Sequence, residues 1–261
     1  MHLIDFEGGV AVSQFDGRVA LITGGGGGIG RATALVFAEN GSRVAVADRR
    51  ETEGMETVRL IESTGGEAVF VPTDVTDESQ VEAMVARTVE VFGRLDHAFN
   101  NAGILGDQVA IDAYPRATWD SVIAVNLTGV WLCMQYEIRH MLTTDGGSIV
   151  NTASIAGLRG SPGVPAYSVS KWGVVGMTKA AAKSYGGDGI RVNAVCPGYV
   201  DTPMVSEATE DEEHMSRILD QYPLSRIGQP LEIAEAVVWL SSDAASFITG
   251  IAFPVDGGAT A

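Results

Sequence analysis

Short apolar runs alternate along the chain with longer segments in which apolar residues recur every three or four positions. The short runs are continuously apolar, which is typical of strands covered by helices on both faces. Seven strands are predicted at residues 18–24, 43–48, 68–74, 95–100, 148–154, 190–196 and 251–255. Six helices are predicted at residues 29–40, 51–63, 78–92, 118–141, 166–185 and 231–240. The alternation predicts an α/β fold with a doubly wound, mostly parallel, seven-stranded sheet and helices on both faces.

Local signals indicate where individual helices begin and how the chain is divided. Residues 76–79 are typical of a helix start, and Pro230 suits the first turn of a helix. A length of 261 residues fits one domain, and no linker-like stretch interrupts it. We therefore divide the chain into an N-terminal arm at residues 1–15, expected to be mobile, and a single domain at residues 16–261.

Acidic residues outnumber basic ones by 33 to 17, which gives a formal net charge of −16. This charge argues against nucleic acid, anionic membrane surfaces and acidic proteins as partners. Two isolated cysteines, Cys133 and Cys196, favour a reducing compartment over a disulfide framework. The four histidines lack ligand spacing, so no metal is predicted. Neither a secretory leader nor an 18-residue apolar span is recognisable, so we expect a soluble, cytoplasmic protein.

A glycine-rich turn joins the first predicted strand to the first predicted helix. Residues 23–30 read Thr-Gly-Gly-Gly-Gly-Gly-Ile-Gly. Glycines allow positive φ and let backbone N–H groups approach a pyrophosphate at the positive end of a helix. A flexible connection could have the same composition, so the turn by itself does not decide between the two interpretations.

Asp48 ends the second predicted strand, eighteen residues after Gly30. This is close to the spacing at which an acidic residue binds the ribose hydroxyls in a Rossmann-type domain. The carboxylate would repel the 2′-phosphate of NADP, so NAD is the predicted cofactor. Arg49 and Arg50 leave the strictness of this preference open, because either side chain could reach a 2′-phosphate.

Tyr167 and Lys171 are four residues apart in a predicted helix and lie on one face of it. A free phenol titrates near 10, so proton transfer near neutrality needs a pKa about three units lower, or about 4 kcal/mol. One ammonium at about 4 Å and an effective dielectric of about 20 supplies about that amount. An exposed lysine on an ordinary amphipathic helix has the same spacing, so the acid-base assignment depends on context.

The ordered set of motifs resembles the short-chain dehydrogenase/reductase family in its shorter, single-domain form. The resemblance extends from about residue 17 to residue 258. The matching positions are Thr23, Gly24, Gly28 and Gly30; Asp74 and Val75; Asn100, Asn101, Ala102 and Gly103; Asn126; Ser154; Tyr167 and Lys171; Pro197, Gly198, Tyr199, Val200, Asp201 and Thr202; and Asp256, Gly257 and Gly258. Eight matches in the family's order make a chance resemblance remote.

The resemblance implies a division of labour among four catalytic residues. Tyr167 would transfer the proton at the substrate oxygen while hydride moves between the substrate carbon and the nicotinamide. Lys171 would lower the pKa of the phenol and hydrogen-bond the nicotinamide ribose. Ser154 would hold and polarise the substrate oxygen. Asn126 would anchor a water that links Lys171 to solvent.

The resemblance also implies a cofactor-binding set around these four residues. Its members are Gly24, Gly28, Ile29, Gly30, Asp48, Arg49, Asp74, Val75, Asn101, Ala102, Gly103, Tyr167, Lys171, Pro197, Gly198, Val200 and Thr202. Val200 and Thr202 would hold the carboxamide end of the cofactor. Gly103 would let the backbone run close beneath it.

Substrate specificity is expected, by resemblance, in a loop at about residues 201–228. Thr209 and Glu212 have capping-box spacing, so the acidic stretch around them is interpreted as a helix start. The predicted substrate residues are Ser154, Leu158, Tyr199 and Met204. Because the candidate wall is mostly apolar, we expect a small-molecule substrate: a cyclic or medium-sized secondary alcohol or its ketone.

Other functions share parts of this pattern. A 3-oxoacyl-[acyl-carrier-protein] reductase has a compatible pattern, but its NADPH and its acidic carrier protein conflict with Asp48 and with the net charge. Enoyl reductases of the family use a wider Tyr-to-Lys spacing. A non-catalytic NAD-binding scaffold would be expected to lack one of the four catalytic residues, and all are present. Relatives usually form homotetramers through the helices that here carry Asn126 and Tyr167, so a homotetramer is expected.

Overall fold

The computed structural model describes residues 14–206, residue 216 and residues 219–261. Seven strands form one sheet in which every neighbouring pair is parallel. The strands are β1 (Val19–Thr23), β2 (Arg43–Asp48), β3 (Ala68–Pro72), β4 (His97–Asn100), β5 (Gly147–Thr152), β6 (Ile190–Pro197) and β7 (Ala252–Val255). Their spatial order is β3-β2-β1-β4-β5-β6-β7. The predicted doubly wound fold is confirmed.

Helices connect successive strands and cover the sheet. They are α1 (Gly28–Glu39), α2 (Glu51–Ser63), α3 (Glu78–Phe92), α4 (Arg116–Ile123), α5 (Val130–Met141), α6 (Pro165–Tyr185), α7 (Pro203–Ser206) and α8 (Pro230–Ser241). Short 3₁₀ turns occur at Ile111–Ala113, Ile155–Gly157, Gly186–Asp188 and Asp243–Ala245. The described helices include none with the combination of length and apolar character that crossing a bilayer requires.

The sheet separates two apolar cores. Within β1, Leu21 contributes to one core and Ile22 to the other, because successive side chains point to opposite faces. Helices α3, α5 and α6 pack on the first face, and α1, α2 and α8 pack on the second. Both faces of the sheet are thus covered, which explains the continuously apolar strand sequences.

The strand order reverses between β1 and β4, and this position defines a crevice at the carboxyl ends of the strands. The β1 end residue Thr23 is in register with Ala47 of β2 on one side and with Asn100 of β4 on the other. Loops that leave these strand ends therefore meet at one edge of the sheet.

The helix predicted at residues 118–141 departs from a continuous α-helix. A π-helical segment, Ala124–Gly129, separates α4 from α5. Asn126 lies in this segment, with its side chain bonded to both backbone groups of Ile104: it accepts from the N–H at 2.8 Å and donates to the carbonyl at 2.8 Å. Such bulges concentrate at functional sites, and apolar periodicity does not reveal them.

Two predicted helix starts are confirmed, and the arm boundary is refined. The Asp77 carboxylate caps α3 by accepting from the Ser79 N–H, and Pro230 is the first residue of α8. The predicted mobile arm includes Phe15, but the ring of this residue is buried and packs edge-on against Phe37 and His97. The remainder of the arm up to residue 13, and the capping box expected at Thr209 and Glu212, fall outside the described residues.

Candidate active site

A cavity of about 920 Å³ lies at the carboxyl edge of the sheet, where the strand order reverses. It is lined by most of the residues that the sequence predicted. These are Gly24, Gly28, Ile29, Asp48, Arg49, Asp74, Val75, Asn101, Ala102, Gly103, Ser154, Tyr167, Lys171, Pro197, Gly198, Val200, Thr202 and Met204. The fold therefore brings segments that are distant in sequence to one site.

The glycine turn forms a cradle at the start of α1. No side chain caps this helix end, so its first N–H groups are available to an anion. Gly28 has φ of +49°, and a Cβ there would come within 3.2 Å of Thr202. Gly30 lies behind the cradle: a Cβ there would be 2.1 Å from the Gly24 carbonyl oxygen. The geometry fits the pyrophosphate of a dinucleotide, with Gly30 serving helix–strand packing.

The Asp48 carboxylate is buried at the end of β2 and faces the cavity. One oxygen accepts from the Gly26 N–H at 2.9 Å. The other accepts from the Arg50 N–H at 2.9 Å and pairs with the Arg50 guanidinium at 3.4 Å. Arg50 is thereby turned toward Asp48, while Arg49 is exposed at the rim.

Two supporting residues, Arg31 and Thr57, were missed by sequence reasoning. Arg31 donates to the Gly26 carbonyl and, at 3.0 Å, to the Thr57 hydroxyl. That hydroxyl in turn donates to the Gly25 carbonyl at 2.9 Å. Together they hold the outer part of the glycine turn against α2. A signal was present in the sequence, because Arg31 places a charge one residue after the last glycine of an otherwise apolar helix start.

Asn101 connects the loops that follow three strands. Its N–H donates to the Thr23 hydroxyl at 3.0 Å, and its amide donates to the Thr23 carbonyl at 3.2 Å. Its side-chain oxygen accepts from the Thr152 hydroxyl at 3.4 Å. The backbone of Ala102 and Gly103 is thus fixed along the cavity wall.

Ser154, Tyr167 and Lys171 meet at the floor of the cavity. Lys171 donates to the Thr152 carbonyl at 2.7 Å, and its Nζ lies 5.4 Å from the centroid of the Tyr167 ring. The Ser154 hydroxyl hydrogen-bonds the Tyr167 phenol and also accepts from the Ala156 N–H at 3.1 Å. This arrangement places one proton donor or acceptor and one polarising hydroxyl at the same point.

Burial has the largest effect on the pKa of both Tyr167 and Lys171, and this corrects one prediction. It raises the pKa of the Tyr167 phenol, against the opposing hydrogen bond from Ser154. It lowers the pKa of Lys171 to about 8. The sequence predicted instead that Lys171 lowers the pKa of Tyr167. That prediction assumed an ammonium close to the phenol oxygen, whereas Lys171 faces the ring and bonds the Thr152 carbonyl.

Some predicted site residues are not among the described residues that line the cavity. Asn126 is fully buried and bonds Ile104, so its predicted water-anchoring role remains a prediction. Leu158 packs against the apolar core. Tyr199 packs edge-on against Tyr222 at a ring separation of 6.4 Å.

The described residues contain no group of three or more His, Cys, Asp or Glu side chains arranged to bind a metal ion. His97 is buried between Phe15 and Phe37, and burial lowers its pKa to about 4. Cys133 and Cys196 are both free and buried. These groups belong to the packed interior and lie apart from any ligand cluster.

Known proteins resemble this chain over nearly its full length. A family model described as enoyl-(acyl carrier protein) reductase matches residues 25–260. Cyclohexanol dehydrogenase of Acinetobacter sp. (strain SE19) is 43% identical over 95% of this chain and 97% of that protein. Cis-4-hydroxycyclohexanecarboxylate dehydrogenase of Sinomonas cyclohexanicum is 43% identical over 95% of this chain and 98% of that protein. The 3-oxoacyl-[acyl-carrier-protein] reductase of Thermotoga maritima is 40% identical over 94% of this chain and 98% of that protein.

Solved structures agree with these relatives. The crystal structure of levodione reductase matches with a TM-score of 0.90 and 40% identity, over 94% of this chain and 98% of that one. NAD+-bound xylitol dehydrogenase matches with a TM-score of 0.91 and 35% identity, over 94% of this chain and 100% of that one. The chain belongs to the short-chain dehydrogenase/reductase family, as its motifs predicted.

Proposed function

We propose that the protein is an NAD-dependent dehydrogenase of secondary alcohols that also reduces the corresponding ketones. The observation that carries this proposal is the contact of Ser154, Tyr167 and Lys171 in a cavity that also contains the glycine cradle. The nicotinamide, when bound, supplies the hydride acceptor or donor. All other steps are assigned to side chains of this chain.

Tyr167 acts as the general acid and base at the substrate oxygen. Its high pKa makes the phenol a stable proton donor for ketone reduction, and alcohol oxidation requires the phenolate. Ser154 stabilises that phenolate by donating a hydrogen bond, and it polarises the substrate oxygen. Lys171, with a pKa of about 8, exchanges protons readily near neutrality and supports the reprotonation of Tyr167.

Asp48 supports NAD over NADP. Its buried carboxylate stands beside the cradle, where a 2′-phosphate would meet a like charge. Of the two arginines that follow Asp48, Arg50 is already paired with Asp48 and, at 3.7 Å, with Glu53, whereas Arg49 is exposed at the rim of the cavity. The xylitol dehydrogenase of known structure has NAD+ bound, which agrees with this choice for a relative of the same fold.

A cyclic secondary alcohol is the proposed substrate. The lining of the cavity that holds the catalytic residues includes apolar side chains from Ile104, Leu105, Val125 and Met204. Two relatives that are 43% identical are named for cyclohexanol and for a hydroxycyclohexane carboxylate. A six-membered carbinol ring suits a wall of this kind.

Reduction of 3-oxoacyl thioesters with NADPH is the second candidate, favoured by the Thermotoga maritima relative. It conflicts with the carboxylate of Asp48 and with the net charge of −16, which would repel an acidic carrier protein. Faster NADPH oxidation with acetoacetyl thioesters than with cyclohexanone would favour this candidate. A non-catalytic scaffold is disfavoured because all four catalytic residues are present.

A homotetramer and a cytoplasmic location complete the proposal. The former is supported by large apolar side chains at the surface of α5 and α6, namely Trp131, Val169 and Trp172, which are each about half exposed. The latter is supported by the two free cysteines, which suit a reducing compartment.

The catalytic assignment is tested by substituting the phenol. Tyr167→Phe should lower kcat for NAD-dependent oxidation of cyclohexanol by at least about a hundredfold, because proton transfer is lost while the ring remains. NADH binding, followed by fluorescence, should stay within about threefold of the wild type. Tyr185→Phe, at the other end of the same helix, is the control and should retain turnover. Wild-type turnover by Tyr167→Phe would refute the assignment.

A further inference from the structure

Tyr222, near the end of the predicted substrate loop, points into the protein and is only 4% exposed. Its N–H donates to the Leu219 carbonyl at 2.9 Å, and its carbonyl accepts from the Ser225 N–H at 2.7 Å. Ser225 has φ of +52°, a rare conformation for a residue with a side chain. A tight turn thus directs this phenol inward.

The Tyr222 hydroxyl ends at the backbone of the Pro-Gly segment. It accepts a hydrogen bond from the Tyr199 N–H at 2.7 Å. It also lies against Gly198, where a Cβ would be 2.6 Å from the phenol oxygen. The absence of a side chain at Gly198 is therefore what admits this hydroxyl.

The other backbone group of Tyr199 is held by the same loop. Its carbonyl accepts from the Gly228 N–H at 2.9 Å, and Val200 forms a parallel bridge with Gly228. Pro197, Gly198 and Val200, on either side of Tyr199, all line the cavity. The end of the loop thereby determines where this wall of the cavity stands.

We propose that Tyr222 is a positioning residue whose hydroxyl fixes the turn at residues 197–200 and so aligns the nicotinamide end of the cofactor with Tyr167. The inference rests on the proposed function, because it requires a dinucleotide in the cavity. Loss of the hydroxyl leaves the half-buried Tyr199 N–H without its partner, which favours displacement of the turn toward water.

Loss of the Tyr222 hydroxyl is expected to affect only the nicotinamide end of the dinucleotide. The adenosine end is assigned to Asp48 and the glycine cradle, whose bonds come from Gly26, Arg31 and Arg50. Tyr222 makes no bond to that group of residues within the described chain. A defect at Tyr222 should therefore weaken ligands that carry nicotinamide and spare those that lack it.

The test compares NADH with ADP-ribose, which has the same adenosine and pyrophosphate but no nicotinamide. In Tyr222→Phe, calorimetric titration should give a dissociation constant for NADH about tenfold higher, equivalent to about 1.4 kcal/mol. The constant for ADP-ribose should change by less than about twofold. Tyr136→Phe is the matched control: it removes a phenol that bonds Glu78 at 3.0 Å on the outside of α3 and α5. Both ligands should bind it as they bind the wild type.

A second variant approaches the same contact from the other side. Gly198→Ala forces the phenol away and should reproduce the selective loss of NADH affinity, even if Tyr222→Phe does not fold. Equal losses for both ligands, or no loss for either, would overturn the role of Tyr222. A wild-type protein that binds neither NADH nor ADP-ribose would overturn the proposed function as well, so the two failures are distinguishable.

Discussion

Two backbone N–H groups, from Gly26 and Arg50, hold one oxygen each of the Asp48 carboxylate. The Arg50 guanidinium is a third donor, at 3.4 Å. A carboxylate offers about four acceptor sites, so about one remains for a further donor such as a ribose hydroxyl. The same bonds fix the negative charge beside the cradle. At the scale of the residue, the proposed preference for NAD therefore rests on charge and on acceptor geometry together.

The contributions of charge and of acceptor geometry at Asp48 can be separated with the variant Asp48→Asn. The amide keeps one acceptor but removes the charge, so repulsion of the NADP 2′-phosphate is relieved while a ribose bond is weakened. We expect the ratio of kcat/KM for NAD to kcat/KM for NADP to fall at least about tenfold, a change of about 1.4 kcal/mol.

Steady-state kinetics with cyclohexanol and each cofactor measures this ratio. Asp188→Asn, which removes one charge in the 3₁₀ turn before β6, is the control and should leave the ratio unchanged. A wild-type ratio below one, or an unchanged ratio in Asp48→Asn, would count against the role of Asp48.

Helix α5 is joined to the sheet by a buried polar network. Glu137 of α5 accepts from the Asn100 amide of β4 at 2.9 Å, and Asn100 also donates to Asn151 of β5 at 3.1 Å. Asn151 continues the network to Thr178 of α6 at 3.0 Å. Burial raises the pKa of Glu137 from its ordinary value of 4.5 to about 8. The neutral acid is thus the form that fits between these elements.

This network predicts a dependence of stability on pH. In the folded protein Glu137 keeps its proton up to about pH 8, whereas in the unfolded chain it loses the proton near pH 4.5. Its contribution is fully present below pH 4.5 and is lost as the pH rises through 8, by an amount on the order of 5 kcal/mol. Glu137→Gln, which stays neutral, should therefore be more stable than the wild type at pH 8.5 and similar to it at pH 4.5.

Urea unfolding at a series of pH values gives the difference between the two proteins. Glu235→Gln, an exposed position on α8, is the control and should track the wild type across the range. A constant difference between Glu137→Gln and wild type from pH 4.5 to 8.5 would show that the pKa of Glu137 is the same in the folded and unfolded states, which contradicts a raised pKa.

Sequence patterns predicted the order and type of the elements because strands covered on both faces and amphipathic helices leave strong apolar signals. Most of the residues assigned to the site through the family resemblance, among them Tyr167, Lys171 and Gly28, line one cavity. The departures come from tertiary contacts. The π-helical segment contains Asn126, which bonds Ile104, and burial raises the pKa of Tyr167 while Lys171 bonds the Thr152 carbonyl. Neither contact leaves a periodic trace in the sequence.

At the scale of the whole molecule, a high negative charge coexists with apolar surface. Trp131 and Trp172 are about half exposed on α5 and α6, and Met55 is similarly exposed on α2. Assembly through the first pair would remove a patch from water while leaving the acidic surface outside. The charge itself opposes non-specific association.

Light scattering after size exclusion should give about four times the chain mass of 27.4 kDa, as the proposed tetramer requires. Trp172→Glu places a charge in the α5–α6 surface and should give a smaller species. Met55→Glu adds the same charge on α2 and should keep the wild-type mass. A monomeric wild type would exclude the tetramer, and equal masses for both variants would exclude this surface as its interface.

The π-helical turn at Ala124–Gly129 has a geometric consequence for the rest of its helix. An α-helix advances about 100° per residue, and a π-helical turn takes up about one extra residue in a wider turn. Residues after the turn are therefore offset by about one position from the faces that continuous α-helical spacing counted from α4 would give them. In the resulting register the side chain of Trp131 is half exposed, and that of Glu137 is buried against Asn100. A helical wheel drawn straight through residues 118–141 would accordingly assign the residues of α5 to the wrong faces.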